Sequence, residues 1–135
     1  MTTAAIRRIN PPALGKPPGY SQIVEVEAQR IIFIAGQTSL DADGSVVGTG
    51  DFDVQAAQVF RNLGIALAAA GCTAENLVKL TVFLRDMDNL AAYRVARNSF
   101  FATVSPPAAP AVTLVEVSRL YGSEFLIEIE AIAAG

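Results

Sequence analysis

Apolar and acidic residues alternate through "IVEVEAQ" (23–29), the period-two mark of a half-exposed strand. The run that follows, "IIFIAGQTSL" (31–40), begins as a continuous apolar stretch and predicts a buried strand, joined to the first by a hairpin. Upstream, "AIRRIN" (5–10) is a short strand candidate that stops at Pro11 and Pro12. The prolines and glycines of "PPALGKPPGYSQ" (11–22) predict an ordered loop without regular structure. "DADGSVVG" (41–48) offers a turn at Asp43-Gly44 followed by a short strand.

The period then changes. Phe52, Ala56, Val59, Phe60, Leu63, Leu67 and Ala70 recur at three- and four-residue spacing and predict one amphipathic helix. Asp51 or Asp53 suits its N-cap, and Gly71 stops it. "NLVKLTVFLRDM" (76–87) is rich in β-branched and apolar residues and reads as a central strand. Asp88 is expected to cap a second helix through "NLAAYRVARNSFFATV" (89–104), which ends before the prolines of "SPPAAP" (105–110). "VTLVEVSRL" (112–120) and "FLIEIEAIA" (125–133) are the last strands, and "YGSE" between them is the size of a hairpin turn.

Strands, helix, strand, helix, strands is the order of an α+β sandwich, a mixed sheet with two helices on one face. Neither a repeat nor a linker divides residues 1–135, so a single domain is expected. Glu128 and Glu130 share one side of the last strand, opposite Ile127 and Ile129. One face of the sheet must therefore tolerate carboxylates while the other packs. Apolar residues expected on the face away from the helices, such as Leu126 and Ile132, predict association of subunits through that face, with polar clefts between them.

Composition sharpens this picture. Hydrophobic residues make up 52% of the 135 and charged residues 17%. The charged share in soluble domains is nearer ~25%, so some apolar surface is expected to be covered by another subunit. The net charge is −3 and the ten basic residues are scattered apart from Arg7 and Arg8, which argues against nucleic acid as the main partner. The chain has no histidine, so the commonest general base and metal ligand are both missing. The single cysteine, Cys72, cannot form an internal disulfide and reads as a small buried residue near a helix end. No apolar run reaches membrane-spanning length, and the N-terminus lacks the form of a signal peptide; a cytoplasmic protein with no membrane partner is expected.

Four ordered blocks carry a resemblance. "GYSQ" resembles the "PYSQ" loop of the Rid family, also called YjgF, RidA or endoribonuclease L-PSP-like. "IFIAGQTSLDADG" resembles its "VFVSGQIPLDPxTG" segment. "AGCTAENLVKLTVFLRDMDNLAAYRVARNSFF" is similar to "AGxxxxDVVKTTVFLxDMxDFAxVNxVYxxFF", and "VEVSRL" followed by "IEIEAIA" resembles the family's ending. The resemblance implies a chorismate-mutase-like α+β fold and a homotrimer whose sheets form a central barrel with the helices outside. It also implies interface clefts that hydrolyse enamines or imines to 2-keto acids and ammonia, with no metal or cofactor.

The same resemblance points to site residues. Tyr20 matches the loop tyrosine, able to bond a ligand or position a water, or else to pack the loop on the core. Gly36 matches a glycine whose backbone meets the ligand, or marks a simple bulge. Glu128 matches the glutamate that holds the hydrolytic water. It reads otherwise as a solvated carboxylate or one paired with Arg119, and Glu116 and Glu130 carry the same ambiguity. The deaminating branch opens its strand with "PARS", whose arginine grips the substrate carboxylate by two parallel charge-assisted bonds. Here the segment is "PAVT", and Val112 offers no donor. Val112, Thr113 and Leu114 are expected to line the rim. Arg94, where the family often has asparagine, is expected either to reach the cleft with a relocated charge or to pair with Asp86 or Asp88 on the surface. Three functions follow in order: a hydrolase or deaminase-like enzyme on a small metabolite other than the usual 2-imino acids, a non-catalytic trimeric binding module, and a ribonuclease or translation inhibitor.

Overall fold

A computed structural model describes residues 5–135. Strand β1 (Ala5–Ile9) pairs antiparallel with β2 (Ile23–Glu27) as a separate two-stranded ribbon, with Arg7 bonded to Glu25 on its exposed side. The main sheet contains β3 (Ile31–Gln37), β4 (Leu77–Leu84), β5 (Ala111–Glu116) and β6 (Ile127–Ala134), in the order β3-β6-β4-β5. Helices α1 (Phe52–Ala69) and α2 (Leu90–Phe101) pack on one face. This is the mixed α+β sandwich expected from the order of elements.

The hairpins expected at 27–31 and at 121–124 do not form. β2 pairs with β1 and β3 with β6, while β4 lies between β5 and β6. The alternating β2 needs a solvated side, which the ribbon provides, whereas the apolar β3 pairs in the main sheet beside the core. β5 runs parallel to β4, with α2 as the crossover. The segment after Asp43-Gly44 makes only an isolated bridge between Leu40 and Val46, and the proline loop contains one short 3₁₀ turn at Pro12–Leu14.

Of the two capping candidates for α1, Asp51 acts: its Oδ1 accepts from Val54 N at 3.2 Å. The apolar stripe reads as expected, with Phe52, Ala56, Val59, Phe60, Leu63 and Leu67 all buried. Asp88 does not cap α2. The carboxylate of Asp86 caps a 3₁₀ turn at Met87–Asn89 instead, and α2 starts after it and stops at Phe101. Phe60 stacks on Tyr93 and Phe100, tying the helices together. Leu80, Val82, Leu84, Ile127 and Ile129 close the core from the sheet.

Gln55 is a polar residue inside this core, with 0% exposure. Its Nε2 donates to Gly48 O (3.1 Å) and Glu124 O (2.7 Å), and its Oε1 accepts from Leu126 N (2.9 Å). It thus anchors the segment leading into β6. Leu126, expected on the face away from the helices, packs against the helix-side core, held there by this bond.

Candidate functional site

The face of the sheet away from the helices is open. Alternation puts Phe33 and Ala35 of β3, Glu128, Glu130 and Ile132 of β6, Lys79, Thr81 and Phe83 of β4, and Thr113 and Val115 of β5 on it. Phe33 is 76% exposed, and Ile31 and Val115 are also exposed. A concavity of about 340 Å³ lies on this face, lined by Phe33, Lys79, Thr81, Glu130 and Ile132 among others. Lys79 Nζ donates to Thr113 Oγ1 of the edge strand β5 at 2.6 Å.

Glu128 and Gly36 meet here. The β3–β6 register slips between Ile34 and Gln37, a bulge that contains Ala35 and Gly36. Glu128 leans into the space this leaves. A Cβ added at Gly36 would collide with Glu128 Oε2 and lie 2.9 Å from its carboxyl carbon. The glycine is therefore what lets the carboxylate lie over the strand backbone. Desolvation raises the pKa of Glu128 above the ordinary carboxylate range, and the charge of Glu130 on the same side raises it further.

A raised acid pKa has a defined sign for stability. Below the unfolded-state value the group is protonated in both states and carries no penalty. As pH rises toward the folded-state value, the charged form is increasingly penalised in the folded protein alone. Glu128→Gln is therefore expected to melt higher than wild type at pH 7, and the difference should shrink as pH falls through the carboxylate range. Thermal melts of both proteins across pH check this; a difference that widens on acidification would refute it.

The other expected residues sit elsewhere. Tyr20 is half-buried in the loop before β2. Its neighbour Ser21 donates N–H to Pro110 O (3.1 Å) and Oγ–H to Ala109 O (2.6 Å), and bridges to Ala111. The tyrosine loop is thus laced to the start of β5. Val112 and Leu114 turn inward and pack against the helix-side core, while Thr113 faces the open side with Lys79. The three do not form one rim. Arg94 is exposed on α2, in the helix layer, on the opposite side of the sheet from Glu128. No ion pair joins Arg94 to Asp86 or Asp88, or Arg119 to Glu128, among the described residues. Glu116 braces the turn before α2, where its Oε1 accepts from Met87 N at 2.9 Å.

Within one chain, then, Gly36 and Glu128 come together on the open face, and the tyrosine loop is tied through Ser21 to the start of β5, the strand that carries Val112. Two residues missed in the sequence belong to these groups. Lys79 lies on the open face. Arg97 is buried against Gly19, next to Tyr20. The signal for Arg97 was present: it occupies an apolar-stripe position of α2, between Tyr93 and Phe101 at four-residue spacing.

The family model described as Endoribonuclease L-PSP matches residues 12–135. The RutC family protein slr0709 of Synechocystis sp. is 40% identical over 134 residues, covering 98% of this chain and 97% of that protein. A mouse protein named 2-iminobutanoate/2-iminopropanoate deaminase is 39% identical over 123 residues, covering 91% of this chain and 84% of its own length. Among solved structures, a Rid protein family member of unknown function, YyfB from Yersinia pestis, superposes with a TM-score of 0.84 at 34% identity, covering 96% of this chain and 98% of that one.

Proposed function

The chain belongs to the Rid family, matched as Endoribonuclease L-PSP, and on that basis we propose that it is a cofactor-free, deaminase-like hydrolase of a reactive imine, enamine or related small metabolite. The observation that carries the reading is the Glu128–Gly36 arrangement. A carboxylate with raised proton affinity lies over a glycine bulge, beside a concavity on an open face. Such a group can hold a water and take its proton as the oxygen attacks an imine carbon. The C–O bond forms, the C=N bond opens, and the nitrogen leaves as ammonia once protonated, so imine plus water gives carbonyl plus ammonia. The mouse relative's name supports the reaction class.

The cleft is incomplete in one chain. Glu128 faces outward on the same side of the sheet as Phe33, Ile31 and Val115, apolar side chains too exposed for a free surface of this composition. A homotrimer in the cytoplasm, with this face against the next copy, would cover them and bring the tyrosine-loop corner of one subunit toward the Glu128 face of another.

Val112 separates this protein from relatives that hold a substrate carboxylate with arginine at the start of β5. Its aliphatic side chain packs on the core and donates nothing. It favours a second reading, a trimeric ligand-binding or regulatory module without turnover. Ammonia release from freshly generated 2-aminoacrylate and a panel of other imines, measured for wild type and Val112→Arg, tests both. Wild type should hydrolyse at least one imine yet be slow on 2-iminopropanoate, and Val112→Arg should speed that substrate by ~10–100-fold, the worth of a charge-assisted pair. No ammonia from any imine with the wild type would sink the hydrolase and leave the binding module.

A further inference from the structure

Arg97 is 6% exposed, yet no carboxylate pairs with it among the described residues. Its Nε and Nη2 both donate to one oxygen, Asn98 Oδ1, at 3.2 and 3.1 Å, and it makes no other side-chain hydrogen bond among the described residues. A buried guanidinium ordinarily has an anion beside it, because desolvating an uncompensated charge costs several kcal/mol. The same guanidinium meets the tyrosine loop. Gly19 has φ +80°, and a Cβ there would stand 2.7 Å from Arg97 Nη2 and 3.2 Å from Cζ. Glycine is required twice over, by the left-handed backbone and by the closeness of the charge.

The surroundings supply a further donor and, beyond Asn98 Oδ1, no acceptor bonded to the guanidinium among the described residues. Arg97 Cζ lies 5.9 Å from the centre of the Tyr93 ring, one turn earlier on the same helix face. The Tyr93 hydroxyl is buried and has no hydrogen-bond partner among the described residues. Burial pushes its pKa up to about 12 although Arg97 and Arg94 pull it down, so it remains a protonated donor. A buried cation with no carboxylate beside it and a hydroxyl with no acceptor, on one helix face, call for a ligand that accepts.

We propose that Arg97 is the anion-binding group of this chain, and that its guanidinium receives the carboxylate of a small organic acid at the corner formed by the Gly19–Tyr20 loop, α2 and the start of β5. This rests on the reading of the cleft as a small-metabolite site. The planar fork suits a carboxylate, which can accept two parallel bonds. The corner adjoins the strand on which Val112 replaces the arginine of the deaminating relatives, so the positive charge has moved from strand to helix. A substrate held from α2 would present its reacting carbon in a different pose, and substrate choice should differ accordingly.

Calorimetric titration of the full chain with benzoate and with benzamide, its neutral isostere, tests the assignment. Wild type should bind benzoate and not benzamide, and Arg97→Gln should weaken benzoate by at least ~10-fold, the loss expected for charge-assisted bonds. Arg97→Lys keeps the charge without the fork and should fall between them. Equal affinity of the wild type for both probes, or binding of neither, overturns the proposal even if Arg97→Gln fails to fold. So does benzoate binding that survives Arg97→Gln while the oligomer weakens, which would make Arg97 a subunit-pairing residue. Loss on Arg94→Gln in place of Arg97→Gln would also overturn it. Glu128→Gln separates the two readings: turnover that survives it removes the hydrolytic role of Glu128 and leaves the benzoate result standing.

Discussion

Glu128→Gln is expected to lower the turnover of any imine the wild type accepts by ~10²–10⁴-fold, the usual worth of a positioned general base. Glutamine keeps the size of the side chain and the fit over Gly36, so fold, oligomeric state and benzoate affinity should persist. What it loses is the ability to take a proton from water. The base must be ionised to work. Since burial and Glu130 raise the pKa of Glu128, the acidic limb of kcat/KM should lie above the ordinary carboxylate range and vanish in the variant. Ammonia release followed across pH measures both effects. A variant within tenfold of wild type, with the same acidic limb, would show that the carboxylate is not the base.

The second large effect concerns stability. Gln55→Leu should cost on the order of 2–3 kcal/mol, since it strands two part-buried backbone partners at ~1–3 kcal/mol each and removes a shared bond to a third. Glu124 O and Leu126 N depend on that one amide, while Gly48 O keeps its bond from Asp51 N. Leucine fills the volume but satisfies none of them. For a chain of this size the melting temperature should drop by roughly 10 °C, read by calorimetry. Because Leu126 immediately precedes β6, the variant should also loosen the approach to Glu128. Hydrogen exchange at Leu126 and Ile127 should rise before global unfolding, and protection unchanged from wild type would contradict the anchoring role.

The layers were legible because they rest on periodicity. The α1 stripe, the β4 run and the alternating β6 each declare a buried side from residue types alone. Pairing was not legible. Neighbours in sequence suggested hairpins at 27–31 and 121–124, and nothing local reveals that β4 separates β5 from β6. The cap of α2 was misplaced because Asp86 and Asp88 are equally good capping residues and only the backbone path decides between them. In the site, Gly36 and Glu128 were named separately, and their contact depends on a bulge that a strand pattern does not announce. Arg97 was passed over because arginine on a helix reads as surface. Its burial follows from the Gly19 turn, which lies 78 residues away in the chain.

β6 is the last strand in sequence and an inner strand of the sheet, with β3 on one side and β4 on the other. During synthesis the β1–β2 ribbon and the β4–β5 pair can form before it, but β3 and β4 have no strand to join them until β6 emerges. The chain must wait with an apolar slot open until residues 127–134 have left the ribosome, a topology that favours slow, all-or-none closure. Glu128 rides on that same strand. A shortened or half-made chain therefore lacks the carboxylate proposed as the base, and the sheet that carries Glu128 and the core that stabilises the fold are completed in one event.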